Sequence, residues 1–285
     1  MTARNVKAMT TKYSDLDVDK FESTVPEENE RSKGQLIGFI NYDDNRLVNI
    51  QTPQLENRAG LPKRDDKYFI TDRDLANNFR VIPDESIPEE KEYVDKMREV
   101  DVKFGSDKYK KYLFGKKAKK YTYQPIVRVR TIGDEDEGDV VHETYMKYKL
   151  DMGWPDDVVK TSVYVLGDDG KRERVDVETV DDFSGYVTYK SNMRLIVRPV
   201  KLWAHPSTKK DPMYGLVFKI IKVEAEPGDN SGSLYRTYHE NDAFLDSDDD
   251  EAVDVEDSDE DTDSDEDSEE PVVIKKNRKG KKATA

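Results

Sequence analysis

Short runs rich in Val, Ile, Tyr and Thr follow one another along this chain, each closed by Gly, Pro, Asn or Asp, and a single stretch reads as a good helix. That pattern constrains the fold most. Strands that do not alternate with helices argue against a doubly wound α/β architecture, whose parallel sheet needs a crossover helix after each strand. About nine β-type runs stand against the one helix, so a mainly β body is expected.

Taken in order, residues 1–33 are polar with few apolar anchors (Val18, Phe21, Val25) and read as a flexible N-terminal arm. QLIGFIN (35–41) and LVNIQT (47–52) flank the turn residues 42–45 and predict a hairpin. KYFIT (67–71) predicts a further strand. A helix is predicted over 89–101, because Pro88 stands at its start, acids fill its first turn, and Tyr93, Met97 and Val100 recur at i, i+4 and i+7. PIVRVRTI (125–132) alternates, with Ile126, Arg128 and Arg130 on one face and Val127, Val129 and Thr131 on the other, and the acidic turn 133–139 closes it. VVHETYMKYKLDM (140–152), VVKTSVYVL (158–166), MRLIVRPVKLWA (193–204) and YGLVFKIIKVEAEP (214–227) complete the strands. Pro199 inside the third of these suggests an edge position or a bulge, and the last reads as central. The expected architecture is an OB-fold-like antiparallel barrel with an inserted helix over residues 34–234.

The chain of 285 residues carries a net charge of −15, and charged residues make up 38% of it against 35% hydrophobic. The acidity is local. Residues 240–285 hold nineteen acids and six bases, whereas residues 1–239 sum to −2. Residues 235–285 therefore read as a disordered, low-complexity acidic tail that ends in the basic run KKNRKGKK (275–282), a nuclear address or a further nucleic-acid contact. No cysteine is present, which excludes a disulfide framework and thiolate chemistry. No apolar run reaches the roughly 18 residues of a membrane span, and the N-terminus has no secretory pattern, so a soluble, intracellular protein is expected.

Against this background residues 103–130 stand out, with ten Lys or Arg and one acid, Asp107. Six aromatics are threaded through them. Cations neutralise phosphates and flat rings stack on unpaired bases, so the composition points to single-stranded nucleic acid. Lys110, Lys111, Lys116, Lys117, Lys119 and Lys120 are candidate phosphate contacts on a flexible finger. Tyr109, Tyr112, Phe114, Tyr121 and Tyr123 are candidate stacking rings, of which at least two should be core residues because strand side chains alternate. Arg128 and Arg130 add two cations to one strand face. Trp203, beside Arg194, Arg198 and Lys201, offers a second binding surface or a core anchor, and Trp154 could pack or stack. The alternative for the whole stretch is an exposed basic helix or hairpin whose rings face the core.

Several blocks in order carry a family resemblance: INYDDNRLVNIQTPQL (40–55), YKKYLFGKKAKKYTYQPIVR (109–128), MRLIVRPVKLWA (193–204) and YGLVFKIIKVEAEPG (214–228). On these the chain resembles the single-stranded DNA-binding proteins of large eukaryotic DNA viruses, relatives of the phage OB-fold replication protein with an acidic C-terminal tail. The resemblance implies an OB fold and sequence-tolerant binding of single-stranded DNA, without enzymatic activity. It further implies a role in viral DNA replication, recombination and repair, at a viral factory or in the host nucleus, with packaging in the virion as a further expectation. Partners implied are a viral DNA polymerase or other replication proteins reached through the tail, and a second copy in a homodimer. The pattern departs at the end, where the phage relatives finish in acids and an aromatic and this chain finishes in bases. An acidic-tailed virion or scaffold protein that binds basic partners is the competing reading.

Other chemistry finds little support. GKKAKK (115–120) lacks the spacing of a phosphate-binding loop of nucleotide hydrolases. His142, His205 and His239 have no metal or triad spacing. Residues 246–251 lack the glycine and the ligand spacing of a Ca²⁺ loop. No catalytic residue, metal or cofactor is expected.

Overall fold

The computed structural model describes residues 8–30, 32–43, 47–132, 140–167, 170–206 and 211–226. The turn 133–139 and the tail from 227 onward lie outside the described residues. In chain order the strands and helices are β1 (Ala8–Lys12), β2 (Phe21–Ser23), β3 (Glu27–Glu28), β4 (Leu36–Tyr42), β5 (Leu47–Glu56), α1 (Asp72–Ala76), β6 (Phe79–Val81), α2 (Pro88–Gly105), α3 (Asp107–Phe114), β7 (Thr122–Gln124), β8 (Val127–Ile132), β9 (Val141–Leu150), β10 (Ser162–Leu166), β11 (Arg172–Val175), α4 (Val180–Tyr186), β12 (Asn192–His205) and β13 (Met213–Glu226).

The body is mainly β, as the strand pattern predicts, with α2 inserted. The expected antiparallel barrel is corrected. The sheet is mixed and not closed, with the path β1-β5-β12-β13-β10-β11 and branches from β12, β13 and β9. β1 runs parallel to β5, and β7, β9 and β10 run parallel to β13. β12 and β13 form the spine. Their burial alternates with period two, so Leu195, Val197, Leu202, Tyr214, Phe218, Ile220 and Val223 face the core and the residues between them face out. Both are central. Of the two expectations for Pro199, an edge position or a bulge, the bulge holds, and its missing N–H is harmless because the neighbouring edge is vacant there: β5 pairs as far as Val197 and β4 begins at Lys201.

That same edge corrects the predicted hairpin. β4 and β5 do not pair with each other. Both lie antiparallel to β12, β4 on Lys201–Ala204 and β5 on Asn192–Val197, so the chain continues in one direction along β12 instead of reversing. Turn residues allow a jog as readily as a reversal, and Asp43 takes the left-handed φ of 45°.

The predicted arm is also corrected for residues 8–30. β1 extends the sheet beside β5, β2 and β3 pair with β4, and Leu16 and Phe21 are buried in the core. A few apolar anchors are enough where short strands can add to an existing edge. The strand predicted at 67–71 is instead a loop folded around Asp65, whose Oδ1 accepts from the N–H groups of Lys67, Tyr68 and Phe69.

α2 follows its sequence signals. Pro88 starts it and Glu89 and Glu90 fill its first turn. Tyr93, Val94, Met97, Val100 and Phe104 form the buried stripe that faces the sheet. The helix runs four residues beyond the predicted end.

Candidate nucleic-acid interface

Residues 103–130 fold as the end of α2, then α3, a 3-10 turn (Gly115–Lys120), β7 and β8. The helical alternative for this stretch describes residues 107–120 in place of the expected flexible finger. Ser106 caps α3, its Oγ accepting from Tyr109 N–H at 3.2 Å. Gly115 ends the helix at φ +53°, a conformation that costs a side-chain-bearing residue more than glycine.

Helical geometry sends the rings one way and the ammonium groups the other. Phe104 and Tyr121 are buried, and Tyr109, Phe114 and Tyr123 are half-buried against the core. Phe114 and Tyr121 stack with centroids 3.8 Å apart and planes 7° from parallel, and both meet the buried Tyr214 edge-on. Tyr123 donates to Asp101 Oδ1 at 2.8 Å, and the Asp101 carboxylate also accepts from Ile126 and Val127 N–H. Burial pushes the Asp101 carboxyl up and, with the adjacent Asp101 charge, pushes the Tyr123 phenol well up. The Tyr109 hydroxyl accepts from Ser23 N–H at 2.7 Å, and Tyr112 donates to Ser23 O at 3.1 Å. These rings anchor α3 to the sheet and to the N-terminal strands. They do not form an open stacking platform; of the five candidates only Tyr112 is exposed.

The lysines remain outside. Lys111, Lys116, Lys117, Lys119 and Lys120 are exposed and have no carboxylate partner among the described residues, whereas Lys110 pairs with Asp107 at 2.9 Å. They form a cationic turn that feeds into β7 at the end of the sheet.

The second surface expected around Trp203, Arg198 and Lys201 is wider than the sequence indicated, while Arg194, grouped with them, is ion-paired with Glu224. Cross-strand partners share a face, so the register of the sheet can be read as rows across its outer side. The first row runs Ile37, Trp203, Gly215, Gln124; the second runs Phe39, Lys201, Val217. The third joins Arg198, Lys219 and Lys149, with Arg198 Nε donating to Asn49 Oδ1 at 2.8 Å. Farther along β9, Lys147 lies opposite Arg80 and Tyr145 opposite Arg128. Arg128 and Arg130 share this face, as their alternation predicts, and Arg130 is ion-paired with Glu143.

Cations crowd one another on this face. Lys149 is pushed down to about 8, first by burial and then by the ammonium groups of Lys201, Lys147 and Lys219. Burial and the nearby Arg128 and Arg80 lower Lys147, and burial and Lys219 lower Lys201. Of these four lysines only Lys219 has a carboxylate among the described residues, Asp151 at 2.5 Å. Crowded cations with too few acids favour an anion.

Aromatic surface borders the cations. Trp203 is half-buried, lying across Gly215, where an added Cβ would come 3.3 Å from its Cζ2 and Nε1. Phe39, in the row of Lys201, is 66% exposed. The structure thus keeps Trp203, Lys201, Arg128 and the unpaired lysines at the surface, turns most of the ring candidates inward, and adds Phe39, Arg80, Tyr145, Lys147, Lys149 and Lys219. The signal for the β9 members was the alternation of Tyr145, Lys147 and Lys149 at every second position.

No family model matches the chain. It is 25% identical over 252 residues to an uncharacterized protein of Acanthamoeba polyphaga mimivirus, an alignment that covers 76% of this chain and 60% of that protein. The chain therefore spans well under the full length of that viral relative.

Proposed function

We propose that the outer face of the sheet binds single-stranded DNA without sequence preference. The observation that carries this reading is the cluster of Lys147, Lys149, Lys201 and Lys219, with Arg80 and Arg128, bordered by Trp203 and Phe39. Ammonium groups short of carboxylates suit phosphates, and partly open rings one or two rows away suit bases. The unpaired lysines of the 115–120 turn extend the positive surface from β7. No base-edge reader is required, so sequence tolerance follows. A non-enzymatic role in viral DNA replication, recombination or repair, and the OB-like character of the body, rest on the resemblance of the sequence blocks, and the mimivirus relative is in keeping with a viral setting.

The test is fluorescence anisotropy of the full chain with labelled oligo-dT and with a duplex of the same length. Tighter binding of the single strand is expected, with affinity falling steeply as salt rises from about 50 to 200 mM. Equal affinity for both forms, or no binding at the lower salt, rejects the reading.

A further inference from the structure

Trp154 is 77% exposed, the most exposed large apolar side chain among the described residues. Its turn is well tied. Gly153 N–H donates to Val158 O at 2.7 Å and Lys160 N–H to Asp151 O at 2.7 Å. Arg73, from α1, donates to Gly153 O at 3.0 Å, pairs with Asp157, and places its guanidinium 5.0 Å from the centre of the Trp154 ring. One face of the indole is thus occupied and the ring is held outward. Large aromatics held rigidly in solvent, beside arginine, are the residue types that anchor protein interfaces.

The surroundings are acidic and linked by hydrogen bonds. Arg64 joins Ile70 O, Asp72 and Asp181, so the loop before α1, α1 itself and the first turn of α4 meet here. The loop adds exposed Tyr68 and Ile70. Asp65 and Asp182 accept backbone N–H groups, and Asp74 accepts the Thr71 hydroxyl and then its N–H; these hydrogen bonds hold the three carboxyls below the usual range, so they stay charged. Across residues 64–74, 153–160 and 178–182, nine acids stand against four bases. Phosphate is disfavoured by such a surface and a cationic peptide is favoured.

We propose that this surface, centred on Trp154, docks a lysine- and arginine-rich segment of a partner protein. A partner cation would stack on the open face of the indole, opposite Arg73, and pair with Asp156, which is exposed. The turn that carries the indole starts at Asp151, whose carboxylate pairs with Lys219 at the end of the cationic face, and the proposal does not depend on DNA binding to that face.

The experiment uses the full chain carrying Trp203→Phe, which leaves Trp154 as the sole tryptophan. Its emission is followed while an octa-arginine peptide is added, and separately while oligo-dT is added. A saturable emission change with octa-arginine is expected, its midpoint moving roughly fivefold or more to higher peptide with Asp156→Lys. Octa-arginine bound elsewhere on the chain, including its acidic segment, leaves Trp154 emission unmoved, so silence at Trp154 overturns the proposal. A response to oligo-dT alone overturns it too, and assigns Trp154 to nucleic acid. Anisotropy of labelled oligo-dT in the wild-type chain reports the DNA-binding reading independently.

Discussion

Lys149 and Lys219 stand opposite each other on the parallel strands β9 and β13, and of the two only Lys219 has a carboxylate partner among the described residues, Asp151. Two ammonium groups in register, with Lys147 and Lys201 close by, oppose folding. The surface is retained at a cost in stability, which is intelligible if a polyanion completes it.

The cost sets a pH dependence. Lys149 titrates at about 8 in the folded protein and near 10.4 when unfolded. Below about 8 both states hold the proton and the penalty is complete and constant. Between about 8 and 10 the unfolded chain binds more protons, so stability rises with pH. Binding of oligo-dT should weaken over the same interval as the charge leaves. Lys149→Met should raise stability at pH 7 by on the order of 1–2 kcal/mol and remove most of the rise. Urea midpoints of both proteins from pH 7 to 10, with anisotropy in parallel, check this; a wild type and variant that run parallel across the window would refute it.

Rings at the surface and rings in the core should separate on mutation. Trp203→Ala is expected to weaken oligo-dT binding by about 1–3 kcal/mol with a modest loss of thermal stability. Tyr121→Ala removes a ring stacked on Phe114 and set against Tyr214, and should cost about 3–5 kcal/mol of stability. Its folded fraction should bind oligo-dT almost as wild type. The pair is read by thermal melts and by titration well below the melting temperature; reversal of the two patterns would put the binding surface back among the rings of 104–123.

The N-terminal segment gives a purely structural test. Phe21 is fully buried and pairs edge-on with Tyr42, with centroids 5.2 Å apart. An added Cβ at Gly38 would lie 2.6 Å from Ser23 Oγ and 2.7 Å from Thr24 O, so β2 and β4 approach closely only because that residue is glycine. Phe21→Ala is expected to cost about 3–5 kcal/mol and Gly38→Val at least about 2 kcal/mol. Chemical denaturation measures both. Changes under about 0.5 kcal/mol, the level of a loose surface segment, would show that residues 8–30 do not belong to the body.

What could be read from sequence depended on how local each cause was. α2 was legible because Pro88, Glu89, Glu90 and the spacing of Tyr93, Met97 and Val100 all lie within the helix. β12 and β13 were legible as long strands, and Pro199 as an edge position or a bulge, between which pairing on both sides of β12 decided. The direction of β5 after β4 was not, because residues 42–45 suit a jog as well as a reversal, and pairing with β12 decided between them. The rings of 104–123 share a stretch with the lysines, but helical geometry splits them between core and solvent. Lys147, Lys149, Lys201 and Lys219 are scattered along the chain and become neighbours only through the β9-β13-β12 ladder.

The exposed turn that feeds into β7 carries the last prediction. Lys116, Lys117, Lys119 and Lys120 are exposed without carboxylate partners among the described residues. Replacing all four with Gln leaves the core rings untouched, so the melting temperature should stay within a few degrees. If each lysine neutralises one phosphate, the salt slope of log K should fall in magnitude by about 0.7 per contact. The expected change is therefore as much as roughly 3 for the quadruple variant, compared with about 0.7 for Lys201→Gln alone. Titrations with oligo-dT across a salt series give both slopes. A quadruple variant that keeps the wild-type slope would confine the DNA path to the sheet face, where Lys147, Lys149, Lys201 and Lys219, with Arg80 and Arg128, would have to account for all of the salt dependence.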